Sequence, residues 1–234
     1  MSVPTPTPAR SDPLPLIGIV GGTGNLGAAL ARRWVKAGLD VMIGSRDAAR
    51  AQASAAALTQ ELGLPVAAGS NRATAERAGL IIVTVPYAAH ESTLTDIRAA
   101  AAGKLVIDTT VPLVPPKVMR VQLPPEGSAA MRAQQLLGAA VTVAAAFHSV
   151  AAHKLATDAV IDCDVLVFAD QKEARTRVVR LAQAAGLRGL HGGALANAAA
   201  TEALTSVLIF INKTYGVDGA GIRITGALQE PAEG

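Results

Sequence analysis

The chain has 234 residues, of which half are hydrophobic and only 3% are aromatic, and its formal net charge is +3. This length allows one large domain, or one domain with a smaller attachment. The basic residues are dispersed without a run of five or six, so the sequence gives no electrostatic footprint for nucleic acid. Cys163 is the only cysteine, which excludes an intramolecular disulfide and a cysteine-based zinc cluster. We recognise no signal peptide and no run of roughly 20 apolar residues. We therefore expect a cytoplasmic protein without a nucleic-acid or membrane partner.

The first half of the chain alternates apolar runs with alanine-rich segments. Residues 1–15 are rich in proline and predict a disordered or extended arm. Strands are then predicted at "LIGIV", "DVMIG", "PVAAG", "LIIVTVP" (80–86) and "KLVIDTT" (104–110), and helices at 25–37, 47–62 and 88–102. Strands that are apolar throughout are typical of a parallel sheet covered on both faces. The alternation predicts an α/β protein with a Rossmann-type, doubly wound parallel sheet.

The second half continues the alternation less regularly. A helix is predicted at 128–137, strands at "AAVTVAAAF" and "CDVLVFAD", a helix at 171–185 and a long apolar helix at 194–213. We predict a Rossmann domain over residues 16–150 and a smaller C-terminal α/β lobe over residues 151–234.

A glycine turn follows the first predicted strand. Its residues match G-x-G-x-x-G and are Gly22, Thr23, Gly24, Asn25, Leu26 and Gly27. Glycines at these positions permit a tight turn, let a pyrophosphate approach bare backbone and bring the helix close to the sheet. The amides at the start of the helix then bind the phosphates. Because a strand precedes the turn and a helix follows it, we favour dinucleotide binding over a glycine-rich turn without a ligand.

The end of the second predicted strand indicates which dinucleotide is bound. NAD-binding proteins usually carry an acid there, which accepts a hydrogen bond from the ribose hydroxyl. This sequence has Ser45, followed by Arg46 and, one helical turn later, Arg50. A hydroxyl and two guanidinium groups can hold the 2′-phosphate of NADP by charge-assisted hydrogen bonds. The alternative is that the arginines are solvated charges and that Asp47 is simply an acid at a helix start; we favour NADP(H).

Several segments together resemble the NADPH-dependent coenzyme F420 reductases, also called F420:NADP oxidoreductases. "GGTGNLG" and the later "GSR", with a basic residue four positions after the arginine, look like the NADP site of that family. "TVPY", "AFHSVAA" and "LTSVLIFIN" are similar to its fourth-strand, histidine and late-helix segments, and "GAGIRITG" to its terminal strand. The order and spacing of these segments are more specific than any one of them.

The resemblance implies that a hydride moves between carbon 4 of NADPH and carbon 5 of the deazaflavin coenzyme F420. Such a reaction depends mainly on holding two flat rings face to face. The resemblance places His148 and Val150 beside the deazaflavin, Pro86 and Tyr87 at a wall near the nicotinamide, and Thr205 in a contact with the deazaflavin. It makes His148 a hydrogen-bond donor and ring-positioning wall, whereas a lone histidine after an apolar strand is more often structural. We expect no metal site.

Two departures from the family pattern keep other functions open. The family's common proline after Val150 is absent, and Ser206 stands where proline is frequent. The acceptor could therefore be a flavin, a pterin or a small imine or carbonyl compound, or the protein could sense NADP(H) without catalysis. The segment 204–211 is too apolar for a solvent-exposed face, which favours a core or dimer-interface position, and we expect a homodimer whose C-terminal lobe contributes to the second-substrate pocket.

Overall fold

The computed structural model describes residues 14–229. Of the predicted N-terminal arm, residues 1–13 lie outside the described residues. Leu14 packs against the hydrophobic core, and Pro15 lies directly against Gly79.

The strands of the described chain form one sheet in the order β3-β2-β1-β4-β5-β6-β7-β8. Neighbouring strands run parallel, except that β7 is antiparallel to β6. The strands are β1 Ile17–Val20, β2 Val41–Ser45, β3 Ala67–Ser70, β4 Leu80–Val83, β5 Leu105–Asp108, β6 Thr142–Ala145, β7 Asp164–Phe168 and β8 Arg188–Gly193. The α/β, Rossmann-type fold predicted from the alternating pattern is confirmed.

Helices connect these strands and cover the two faces of the sheet. They are α1 Asn25–Lys36, α2 Ala48–Leu62, α3 Asn71–Arg77, α4 Tyr87–Ala101, α5 Ala129–Leu137, α6 Ala152–Leu155, α7 Lys172–Ala184 and α8 Ala198–Tyr215. Helix α2 begins where Asp47 accepts hydrogen bonds from the amides of Ala49 and Arg50, and it ends at the left-handed Gly63. Such caps satisfy amides and carbonyls that have no partner inside the helix.

The core consists of the two faces of the sheet. Strands β1, β4 and β5 are buried at every residue, and the apolar side chains form one cluster on each face. The only tryptophan, Trp34 of α1, is fully buried and meets the ring of Phe147 edge to face, with centroids 6.0 Å apart. Its indole N–H donates to the carbonyl of Leu181 at 2.9 Å, as a buried tryptophan requires.

Besides the antiparallel contact of β7 with β6, the structure differs from the sequence expectations in two helices and in the terminal segment. Helix α3 and the short α6 were not predicted. The segment 219–226, expected as a terminal strand, is not a strand. It is held instead by the amide of Asp164, which donates to Ile222 O at 2.8 Å, and by the carboxylate of Asp164, which accepts from the amide of Ile224 at 2.6 Å.

The strand order creates a crevice at the carboxyl ends of β1 and β4. From β1 the chain proceeds to β2 on one side, while β4 lies on the other, so the connections leave in opposite directions. Ligands of doubly wound sheets bind outside the strand ends at this switch point. The sheet continues past residue 150, because β7 and β8 extend it beyond β6.

One helix in the described part of the chain, Leu195–Tyr215, is apolar and long enough to cross a bilayer by length and composition. This is weak evidence for a membrane span, because core helices satisfy the same criterion. The buried acid Glu202 joins this helix to α5 by accepting hydrogen bonds from Ala129 N at 2.6 Å and Ala130 N at 3.1 Å.

Candidate functional site

The glycine turn after β1 is fixed by hydrogen bonds to its backbone. Gly21 has φ +75°, and its amide donates to Oδ1 of the buried Asn71 at 3.1 Å. The amide of Gly22 donates to the carbonyl of Gly44 at 2.9 Å, and that of Gly24 to Gly21 O at 3.1 Å. The turn is therefore held by two neighbouring elements, β2 and α3, and by a hydrogen bond within its own backbone.

The last glycine of the motif allows α1 to approach the sheet. A Cβ on Gly27 would lie 2.5 Å from Thr84 Oγ1 and 2.7 Å from Gly22 Cα, whereas one on Gly24 would meet nothing closer than 3.5 Å. Gly24 thus presents bare backbone on an open side of the turn, immediately before the first residue of α1, Asn25. The first amides of a helix have no partner within it and carry its positive dipole end, so this surface fits a pyrophosphate.

The basic residues after β2 lie at the same edge of the sheet. Ser45, the last residue of β2, is buried and its hydroxyl accepts from the amide of Asp47 at 3.2 Å. Arg46 and Arg50 are both exposed. Asp47 is the N-cap of α2, so its carboxylate is engaged by the helix start. Residues 45–50 therefore present two exposed guanidinium groups, and their one acid, Asp47, is hydrogen-bonded to backbone amides.

Pro86 and Tyr87 follow β4 on the opposite side of the crevice. Tyr87 begins α4, with Pro86 as its N-cap residue. The Tyr87 hydroxyl accepts from Arg132 Nη1 at 3.2 Å, and its ring stacks on His90 with centroids 6.2 Å apart. The orientation of Tyr87 is therefore fixed at its ring face and at its hydroxyl.

His148 lies after β6, within the buried loop 146–150. Its Nδ1 is 3.1 Å from the hydroxyl of Thr201, and its carbonyl accepts from the hydroxyl of Thr205 at 3.0 Å. Phe147 has φ +68°, an uncommon conformation for a bulky residue, and is held in it by burial against Trp34. Two threonines of α8 and one strained residue thus fix His148.

The His148 ring is nearly inaccessible, and Nε2 has no hydrogen-bond partner among the described residues. Burial lowers the pKa of His148 to about 4, against a smaller opposing effect of Asp108. The ring is therefore neutral near pH 7. A buried nitrogen without a partner is uncommon in a native core, which marks His148 as a candidate site residue. The nearby Val150 is also buried.

The structure brings most of the predicted residues to one edge of the sheet. The glycine turn, Pro86 and His148 follow β1, β4 and β6, and Ser45 ends β2; these four strands are parallel to one another across the sheet. Thr205 joins them through its bond to His148. An open cleft of about 590 Å³ lies elsewhere, between α1, α2 and α6, and reaches this edge only at Asn25.

Four supporting residues were not predicted as site residues. Asn71 holds the glycine turn, Thr201 holds His148, and Asp108 and Glu202 are buried acids. A signal existed for the two acids, since each adjoins an apolar run, in "KLVID" and "TEALTSVLIF". Burial raises the pKa of Glu202 to about 8, although the amides of Ala129 and Ala130 oppose this shift.

The fold and the glycine turn together define a Rossmann-type dinucleotide-binding protein. Residues 16–112 match the family model described as NADP oxidoreductase, coenzyme F420-dependent. The chain is 38% identical to the F420-dependent NADP reductase of Methanothermobacter thermautotrophicus, an alignment that covers 89% of this chain and 94% of the relative. It is 34% identical to the enzyme of the same name from Methanocaldococcus jannaschii, over 89% of this chain and 97% of the relative.

A solved structure from Arthrobacter sp. FB24, provisionally named an F420-dependent NADP reductase, has the same fold. It superposes with a TM-score of 0.78 at 21% identity and covers 91% of this chain and all of the other. The chain belongs to the family of F420-dependent NADP reductases, as the resemblance of its sequence motifs predicted.

Proposed function

We propose that this protein transfers a hydride between NADP(H) and the deazaflavin coenzyme F420. The observation that carries the proposal is the 38% identity to an F420-dependent NADP reductase along nearly the full length of both chains. Both halves of the required site have candidates in the described residues: the glycine turn with its basic neighbours, and the loop around His148.

We propose that the glycine turn and the residues after β2 bind NADP(H). The amides near Gly24 and at the start of α1 hold the pyrophosphate. Ser45, Arg46 and Arg50 hold the 2′-phosphate, because exposed guanidinium groups can form bidentate, charge-assisted hydrogen bonds with it. This arrangement discriminates against NAD(H), which offers the arginines a neutral hydroxyl.

The second ring is proposed to lie between the residues after β4 and β6. Pro86 and Tyr87 form the wall beside the nicotinamide, and His148 and Val150 face the deazaflavin. Thr205 helps to position the backbone of His148, since its hydroxyl lies 3.0 Å from the carbonyl oxygen of His148 and 3.0 Å from that of Thr201. When bound, the two cofactors supply the hydride chemistry itself, and the protein supplies orientation and exclusion of water.

The C-terminal lobe, residues 151–234, is proposed to complete this pocket and to form a homodimer interface. Helix α8 exposes Val207 and Phe210, and the hydroxyl of Ser206, which directly precedes Val207, donates to the carbonyl of Arg120 at 3.3 Å. Exposed apolar side chains of the adjoining loop, including Val121, extend this surface. Contiguous apolar surface of this kind marks an interface, and a second copy of the chain is the proposed partner. A cytoplasmic location, in which the buried thiol of Cys163 stays reduced, is part of the same proposal.

A direct assay tests the proposed reaction. Purified protein is mixed with NADPH and F420, and the deazaflavin absorbance is followed against a sample without NADPH. Loss of absorbance that depends on both protein and NADPH is expected. Tight NADPH binding without this loss would contradict the proposed acceptor, and the same assay with flavins and pterins would then separate another reductase from an NADP(H) sensor.

A further inference from the structure

A buried carboxylate lies beside the crevice and has no part in the function described so far. Asp108 is the last residue of β5, and its side chain and that of His90 are almost completely buried. Asp108 Oδ2 lies 2.6 Å from His90 Nε2, and Oδ1 accepts from the amide of Thr110 at 2.9 Å. A buried acid paired so completely is uncommon in a core that is otherwise apolar.

The hydrogen bonds indicate that Asp108 carries its negative charge. Burial alone would raise its pKa, but His90 and the bonds from Thr110 lower it below its ordinary value. His90 Nδ1 has no partner among the described residues. The Asp108 carboxylate is therefore a negative charge inside the core, held by His90 and by the amide of Thr110.

The Asp108 carboxylate is close to candidate site residues on both sides of the crevice, Tyr87 after β4 and His148 after β6. His90 is the ring on which Tyr87 stacks, so Asp108 lies directly behind the proposed nicotinamide wall. The same carboxylate partly offsets the lowering of the His148 pKa by burial and adds to the raised pKa of Glu202, so both groups lie within reach of its field. Low polarity around Asp108 strengthens such interactions relative to water.

We propose that the Asp108 carboxylate, held by His90 and Thr110, favours the oxidised cofactor by stabilising the positive charge of its nicotinamide ring. NADP⁺ carries this charge, and NADPH does not. This inference rests on the proposed function, because it requires the nicotinamide to lie beside Tyr87. Asp108 is a positioning charge and does not touch the cofactor in this account.

Calorimetric titration with NADP⁺ and with NADPH tests the inference without any turnover. Asp108→Asn keeps the size of the side chain and removes its charge. We expect the ratio Kd(NADP⁺)/Kd(NADPH) to rise about tenfold in this variant. This is the effect of losing the Coulomb attraction between the carboxylate and the nicotinamide charge across roughly 10 Å at an effective dielectric constant of about 20. The matched control is Asp96→Asn, which removes the same charge from an exposed position on α4, paired with Arg72. Its ratio should equal that of the wild type.

The wild-type protein gives a second test that needs no variant. Because the Asp108 charge would lie near the nicotinamide, we expect the wild-type protein to bind NADP⁺ at least as tightly as NADPH. A wild-type preference for NADPH, or an unchanged ratio in folded Asp108→Asn, overturns the inference and leaves the proposed function intact. Failure of the wild-type protein to bind either nucleotide overturns both.

Discussion

At the scale of single residues, Arg46 is the side chain on which the proposed preference for NADP(H) over NAD(H) depends most directly. Arg46→Ala should raise the KM for NADPH about tenfold or more and change that for NADH little, because it removes a charge-assisted bond worth about 1.5–3 kcal/mol. Steady-state kinetics with both nucleotides measure this. The control is Arg77→Ala, an exposed arginine at the end of α3. Equal effects of Arg46→Ala on both nucleotides would remove the 2′-phosphate assignment.

The buried neutral His148 predicts a specific dependence of stability on pH. Its pKa falls from 6.5 to about 4 on folding, so the unfolded chain binds more protons than the folded chain between these values. Stability should therefore decrease as pH falls from about 6.5 to about 4, by up to roughly 3 kcal/mol from this group.

Replacing the histidine should remove that dependence. His148→Gln is expected to flatten the curve of unfolding free energy against pH in this window, measured by urea denaturation. His153→Gln is the matched control, since His153 is more than half exposed and pairs with Asp218. An unchanged slope in His148→Gln would show that His148 is not the residue responsible.

Single residues also show the limit of inference from sequence. The glycine turn, Arg46 and His148 belong to short motifs, and a motif is visible in one stretch of chain. Asn71 supports Gly21 from 50 positions away, and Thr201 supports His148 from 53. Such partners are defined by the packing of elements, which no local pattern records.

At the scale of elements, strands were easier to predict than short helices. The apolar runs that became β1, β4 and β5 are buried on both faces, and burial is what an apolar run encodes. Helix α3 was missed because it has seven residues and buries Asn71 and Thr74 together with only one alanine. The buried face of α3 is polar because Asn71 supports the glycine turn. The helix therefore lacks the apolar periodicity by which a helix is predicted from sequence.

The junction of β1 and α1 gives a prediction that separates packing from binding. Gly27→Ala would force a methyl group against Thr84 and Gly22, so we expect a loss of about 1–3 kcal/mol of stability together with weaker NADPH binding. Gly24→Ala meets no such obstacle and should weaken NADPH binding at nearly unchanged stability. Thermal denaturation and calorimetric titration of both variants measure the difference. A Gly24→Ala protein that binds NADPH normally would contradict the proposed phosphate site.

At the scale of the whole molecule, α8 predicts the oligomeric state. Phe210 is half exposed, and Phe210→Asp should convert the proposed dimer to a monomer by placing a charge in an apolar interface. Size-exclusion chromatography with light scattering measures the mass. Val160→Asp is the control, because Val160 is 96% exposed and lies away from α8 in the chain. A wild-type protein that is monomeric at all accessible concentrations would exclude the interface.

The sequence predicted the parallel part of the sheet but not the antiparallel contact within it. Alternation of strands and helices predicts a doubly wound sheet, and β1 to β6 obey it. The antiparallel contact of β7 with β6 depends on how the chain turns between residues 146 and 163, where neither strand nor long helix gives a pattern. The terminal segment was misjudged for a related reason: two of its links to the sheet use the carboxylate of Asp164 and the guanidinium of Arg188.

The contact of Trp34 with Phe147 has a consequence for how substrates reach this protein. Trp34 belongs to α1, whose first turn is the proposed phosphate site, and Phe147 immediately precedes His148. Because both side chains belong to one hydrophobic cluster, the core fixes the distance between the proposed nucleotide and acceptor positions. We therefore expect that an acceptor of different thickness would require substitutions in this core as well as at the surface of the site.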